Sequence, residues 1–210
     1  MCGQMSAAPK STVLNATREL GLGDPIDETG GLWPEGDAYP RSQAPVITVS
    51  PDDALVIRLL TWGFSVPGRT NAIFNTRIET AASLPLWQDA IASRRCLVPA
   101  RSFFERHRSE RGISPTTGKA VKQLERFDAP EGDLLFLAGI WQGAEFSVMT
   151  TAPNASVAPV HDRMPLVVRA DEVRTWLFGD YASLADRSRI ALDAHPVFPA
   201  APHCEQPTLF

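Results

Sequence analysis

The chain has no long apolar run. Of its 210 residues 44% are hydrophobic and 21% charged, and no stretch nears the ~18 consecutive apolar residues that a membrane helix requires. A soluble protein without a membrane partner is expected. The first twenty residues carry Lys10, Arg18 and Glu19 and hold no signal-peptide core, so a cytoplasmic location is expected. Cysteine is scarce. Cys2, Cys96 and Cys204 lie far apart with no Cys-x-x-Cys pair, which favours neither a disulfide framework nor a zinc site. Also missing are a Gly-x-Ser-x-Gly elbow, a P-loop, a His-Glu-x-x-His helix and a Gly-x-Gly-x-x-Gly turn, so the common hydrolase, nucleotide and zincin classes lose support. Neither a metal nor an organic cofactor is implied.

Positive charge is not abundant either. A net charge of −4 argues against a generic nucleic-acid coat, because phosphate binding needs cations somewhere. The average hides a bias, however. Arg69, Arg77, Arg94, Arg95, Arg101, Arg106, His107 and Arg108 share one segment, while acids crowd 24–37 and 126–133. A local anion-binding groove and a merely solvated charged surface both fit that pattern.

The length suits one domain, expected over 1–200 with a tail at 201–210. Residues 11–22 read as an amphipathic helix capped by Ser11 and stopped at Gly21 or Gly23. The Gly-, Pro- and acid-rich stretch 24–45 reads as a surface loop. Apolar runs at 46–50 and 54–62 predict paired strands. A helix is expected over 85–95, and strands at 96–99, 134–141, 145–151 and 165–168. The last helix is expected over 171–178, capped by Asp171 and stopped by Gly179. The polar stretch 107–133 reads as an exposed excursion. Strands outnumber helices without alternating with them, which implies an α+β fold with mixed or antiparallel sheet and a few peripheral helices.

What remains is a set of polar stretches: "MCG" at the start, "WGFSVPG" at 62–68, "NTRIET" at 75–80, "RCLVPARSFFER" at 95–106 and "HDRMP" at 161–165. Loss of Met1 would expose an α-amine and a thiol on one residue, Cys2. An α-amine with a pKa near ~7.7–8.0 is neutral to roughly a tenth at neutral pH, far more than a lysine. Such an amine can condense with an aldehyde to an imine, and the neighbouring thiol can close on the imine carbon to give a five-membered thiazolidine. Closure is intramolecular and therefore favoured.

In this order, together with Ala138-Gly139-Ile140-Trp141 and His195-Pro196-Val197, the stretches resemble the SRAP family, the SOS-response-associated proteins that shield abasic sites in single-stranded DNA. The resemblance spans roughly residues 2–198. It implies a covalent DNA–protein crosslink through Cys2 in DNA repair. Asn75 would hold the amine or the opened sugar, Glu105 would deliver protons from a partly desolvated carboxyl, and His161 would act as general acid or base. Gly3 and Gln4 would lie against DNA, Arg77 and Arg163 would hold phosphates, and Thr150 would donate a hydroxyl to the backbone. Alternatives stay open: Asn75 as a turn residue, Glu105 as a salt-bridge partner of Arg101 or Arg106, and His161 as a loop histidine. Trp62 fits the core better than a base-stacking platform.

Three departures stand out. Gln4 replaces the family's arginine, Arg69 follows Pro67-Gly68 where a tryptophan is usual, and Glu105 is flanked by Phe104 and Arg106 in place of Tyr and Trp. The grip on DNA should differ more than the chemistry. At the far end, Gln206, Leu209 and Phe210 in "QPTLF" resemble a peptide that docks on the bacterial sliding clamp, or these residues fold back on the domain. Two rival functions remain: a thiol peptidase pairing Cys2 with His161, with hydrolase or lyase activity in its least demanding form limited to Met1, and a non-covalent DNA-binding adaptor. When bound to damaged DNA the protein would sit on the nucleoid.

Overall fold

Strands buried on both faces form the centre of the molecule. A computed structural model describes residues 2–201, for Glu131 the backbone only. The elements run β1 (Met5–Ala7), α1 (Lys10–Glu19), β2 (Ile26–Asp27), β3 (Asp37–Ala38), β4 (Gln43–Val49), β5 (Leu55–Trp62), β6 (Asn75–Arg77), α2 (Ile78–Ala81) and α3 (Gln88–Ser93). They continue with β7 (Arg95–Ile113), β8 (Ala120–Asp128), β9 (Leu135–Gln142), β10 (Glu145–Thr151), β11 (Met164–Pro165), β12 (Val167–Val168), α4 (Val173–Phe178) and β13 (Asp193–Pro196).

The strands join one mixed sheet whose central path is β12-β9-β10-β5-β4-β7-β1-β3. Because β7 also pairs with β9, the five strands β9, β10, β5, β4 and β7 close into a ring, which leaves those strands without a free edge. Strand alternation then feeds two cores. Val46, Val98, Leu137 and Val148 join a cluster with Cys2, Trp62 and Phe103. Their chain neighbours Ile47, Leu97, Ala138 and Met149 join the other cluster, on which all four helices rest through Val13, Ile78, Ile91 and Trp176. The result is a single α+β domain of mixed sheet with peripheral helices. No helix among the described residues is long and apolar enough to cross a membrane.

Glycine is required where strands meet. At Gly63 φ is +112°, and a Cβ there would lie 2.8 Å from Ala72 Cβ and 3.3 Å from Phe74 Cβ. The turn after Trp62 therefore brings the Phe74-Asn75 segment close against β5.

Several expectations need correction. The stretch 107–133 is not an excursion, since β7 runs on to Ile113 and pairs with β8 in a long hairpin. Its inward positions are polar (Glu105, His107, Gln123 and Glu125, all buried), so the apolar alternation that marks a strand is missing. The first helix starts at Lys10 behind Pro9, with no side-chain cap from Ser11. The third is shorter than 85–95, because Leu86 stays exposed and only Trp87, Ala90 and Ile91 turn inward. Asp171 does not cap the last helix. It lies within the 3-10 turn Ala170–Glu172, where the Glu172 carboxylate accepts from the Arg169 backbone N–H. The loop 24–45 holds β2, β3 and the start of β4, paired through the backbone despite its turn-rich composition.

Candidate functional site

The N-terminal segment reaches the interior because β1 completes the sheet. Met5 pairs with Phe103 on one side and Ala38 on the other, and the Phe104 N–H donates to the Gln4 carbonyl at 3.0 Å. Cys2 is thereby fully buried, with its Sγ donating to the Gln4 carbonyl at 3.4 Å. Burial pushes its thiol up to about 12, and the Glu105 charge adds to the rise. The thiol is un-ionised at neutral pH.

Asn75 begins β6, which lies parallel to β10 with Asn75 beside Val148. Its Nδ2 donates to the Cys2 carbonyl at 2.8 Å. Its Oδ1 is buried and accepts from no described residue, leaving one acceptor at the terminus for a bound group. Glu105 comes from β7 and is buried at 3% exposure, which raises its carboxyl to about 7. A group so poised is both donor and acceptor near neutrality. Among the described residues its ion-pair contact is His161 Nε2 at 4.0 Å; neither Arg101 nor Arg106 pairs with it.

His161 follows the turn that starts at Asn154 and is tied back by its N–H to the Val157 carbonyl. The Arg163 N–H donates to His161 Nδ1 at 3.1 Å, and Asp162 Oδ1 lies 3.0 Å from the same nitrogen. The Arg163 carbonyl lies 3.2 Å from the same nitrogen, and Nε2 lies 4.0 Å from Glu105 Oε2. Burial lowers the pKa of the ring, so the neutral form prevails at neutral pH. Four residues from four separate stretches thus converge.

The predicted phosphate ligands differ from one another. Arg77 is exposed at the end of β6. Arg163 forks onto Glu79 with both contacts at 2.8 Å and donates to the Thr150 carbonyl at 2.7 Å. Its guanidinium holds the Glu79 carboxyl below the usual range. The Thr150 hydroxyl is buried and donates to the Thr76 carbonyl at 3.3 Å. Arg163, Glu79 and Thr150 together clamp the start of α2 to β10 and to the His161 turn. Glu79 was readable in "NTRIET" but carried no signal of this pairing. Gly3 is half-buried, and Gln4 Nε2 donates to Asp37 Oδ2 at 2.8 Å. Trp62 belongs to the core, stacked on Phe146 at 6.3 Å with its Nε1 donating to the Phe74 carbonyl. Gln206, Leu209 and Phe210 lie outside the described residues.

A cavity of about 390 Å³ opens beside the cluster, lined by Gln4, Glu105 and His161 and by Arg106, Arg108 and Lys122 of the hairpin. Sequence reading placed Arg106 and Arg108 in a basic segment but missed Lys122, hidden in the supposed excursion. No group of three His, Cys, Asp or Glu side chains suited to a metal occurs among the described residues.

The model of the SOS response associated peptidase (SRAP) family matches residues 1–199. The chain belongs to the SRAP family. Among its relatives, abasic site processing protein YoqW of Bacillus subtilis is 27% identical over 164 residues, covering 69% of each chain. Abasic site processing protein YoaM of the same organism is 28% identical over 132 residues, covering 56% of this chain and 55% of its own. A crystal structure of a protein from Bordetella bronchiseptica shares the SRAP chain's fold with a TM-score of 0.70 at 20% identity, over 93% of this chain and 99% of that one.

Proposed function

We propose that this SRAP chain processes abasic sites in single-stranded DNA by forming a covalent link through Cys2 once Met1 is removed. The observation that carries the reading is the convergence of Asn75, Glu105 and His161 on a buried Cys2. The relatives' names, abasic site processing proteins, support the choice of lesion.

The ring-opened lesion offers an aldehyde. The Cys2 amine adds to its carbon, forming a C–N bond, and a proton from Glu105 lets the hydroxyl leave as water to give an imine. The thiol then adds to the same carbon: the S–C bond forms, the thiol proton passes to Glu105 or His161, and the nitrogen gains one in return. The product is a thiazolidine, and one water is released. A thiol held near 12 is a poor first nucleophile, which favours amine attack first. Asn75 holds the terminal carbonyl and offers Oδ1 to the amine or the opened sugar. Arg77 binds a phosphate, whereas Arg163, with its fork filled by Glu79, keeps Asn75 and His161 in register.

Thiol peptidase chemistry is less well supported. It needs a thiolate paired with a base, and the described hydrogen bond of the Cys2 sulfur is to the Gln4 carbonyl. The tail at 201–210 is proposed to dock on the sliding clamp through Gln206, Leu209 and Phe210, recruiting the protein to replicating DNA. Incubation with single-stranded oligonucleotides bearing or lacking an abasic site, followed by a denaturing gel, tests the main reading. A shifted band should require both the lesion and Cys2, and Cys2→Ala should abolish it. A wild-type chain lacking Met1 that gives no shifted band would refute the reading.

A further inference from the structure

Beside the nucleophile, Gln4 is uncharged and spent on Asp37. Positive charge has instead gathered on the facing wall. In the β7–β8 hairpin Arg106 pairs with Leu124, so their side chains share one face, and Phe104, Arg106, Lys122 and Leu124 all line the cavity at Glu105. Past Arg106 the register shifts, and pairing resumes at Arg111 with Lys122. The bulge is fixed from inside, where the buried His107 ring accepts the Glu110 N–H at 3.0 Å. Arg108 ties it from outside: its N–H donates to the Val160 carbonyl at 3.1 Å and its Nη2 to the Ala158 carbonyl at 2.8 Å, both in the turn that carries His161.

We propose that this hairpin face is a phosphodiester-binding subsite, in which Arg106 and Lys122 grip the DNA strand beside the abasic sugar, positioned by the Arg108 anchor. The proposal rests on the abasic-site reading and deepens it. Arg106 and Lys122 are exposed and form no ion pair among the described residues, so their charge is free for a ligand. The facing carboxylates are engaged: Asp37 accepts from Gln4 and Ser6, Asp162 contacts His161, and Glu105 lies beneath the surface. Tyr39, 48% exposed on the same cavity, offers a face for the flanking base. The subsite sets the direction in which the strand leaves the lesion.

The test uses a single-stranded oligonucleotide with a tetrahydrofuran abasic analogue, which has no aldehyde and cannot crosslink. Binding is followed by anisotropy over a range of salt for wild type and for Arg106→Gln/Lys122→Gln. At ~0.7 per phosphate contact on a single strand, losing two contacts should reduce the salt slope by about 1.4. The charge-keeping Arg106→Lys/Lys122→Arg should retain the wild-type slope, as should Arg174→Gln, which lies outside the cavity. One neutral methylphosphonate next to the analogue should weaken wild type and leave the double Gln variant unchanged. Equal slopes in wild type and the folded double Gln variant would overturn the subsite. Loss of Cys2-dependent crosslinking in wild type on a true abasic site would instead refute the reading on which it rests.

Discussion

Replacing Glu105 by Gln should stabilise this protein while disabling it. The carboxyl is held at about 7 in the fold against the usual 4.5, chiefly by burial. Between those values the native state binds more protons than the unfolded chain, so stability falls as pH rises through the window from 4.5 to 7. Above about pH 7 the full cost is present, about 3.5 kcal/mol at most at ~1.4 kcal/mol per tenfold change. The new amide brings donors that also need partners, which trims the expected gain to about 2 kcal/mol. At ~2–4 °C per kcal/mol for a chain of this size, Glu105→Gln should melt about 4–8 °C above wild type near about pH 8. Below the ordinary carboxylate range both side chains are neutral and the gap should close. In the same preparation crosslinking to an abasic oligonucleotide should slow by ~10²–10⁴, the usual worth of a positioned acid. Thermal melts across pH and timed denaturing gels read both effects. A variant that melts lower than wild type at every pH would refute the reasoning, because Glu105 would then be a structural acceptor whose charge the fold needs.

Asn75→Ala removes the hydrogen bond to the Cys2 carbonyl and should cost only about 1 kcal/mol in a melt, while crosslinking slows far more than that loss of stability explains. Arg163→Gln breaks the fork on Glu79 and the bond to Thr150. It should cost about 2 kcal/mol in chemical denaturation and slow crosslinking without changing the salt slope of DNA binding. Gly63→Ala forces a side chain to positive φ and to within 2.8 Å of Ala72 Cβ. A loss of about 2–3 kcal/mol is expected in the same denaturation assay, with impaired crosslinking because the Phe74-Asn75 segment must shift.

The apolar strands were legible wherever hydrophobic side chains cover both faces, as in β4, β5, β9 and β10, and Trp62 could be assigned to the core for the same reason. The long hairpin was not, because it buries charge. Glu105, His107, Gln123 and Glu125 occupy the positions where apolar residues would have revealed the alternation. Of these four, Glu105 also lines the cavity, while the hairpin's other face supplies Phe104, Arg106, Lys122 and Leu124 to its wall. At the site, Cys2, Asn75, Glu105 and His161 could be named from short stretches, yet their meeting depends on β1 pairing with β7 and on β6 lying beside β10, long-range contacts that no local pattern encodes. The role of Arg163 was hidden for a related reason. An arginine in sequence announces a cation, and only the fold reveals whether a carboxylate such as Glu79 already holds it.

The central claim is that the amine and the thiol of one residue both bond to the lesion. Tandem mass spectrometry of the tryptic nucleopeptide, after digestion of a crosslinked abasic oligonucleotide, tests this directly. The account predicts a peptide beginning at Cys2, without Met1, that carries the sugar remnant on Cys2 and resists both thiol alkylation and amine acylation. A remnant on any lysine, or on a chain still bearing Met1, would contradict it.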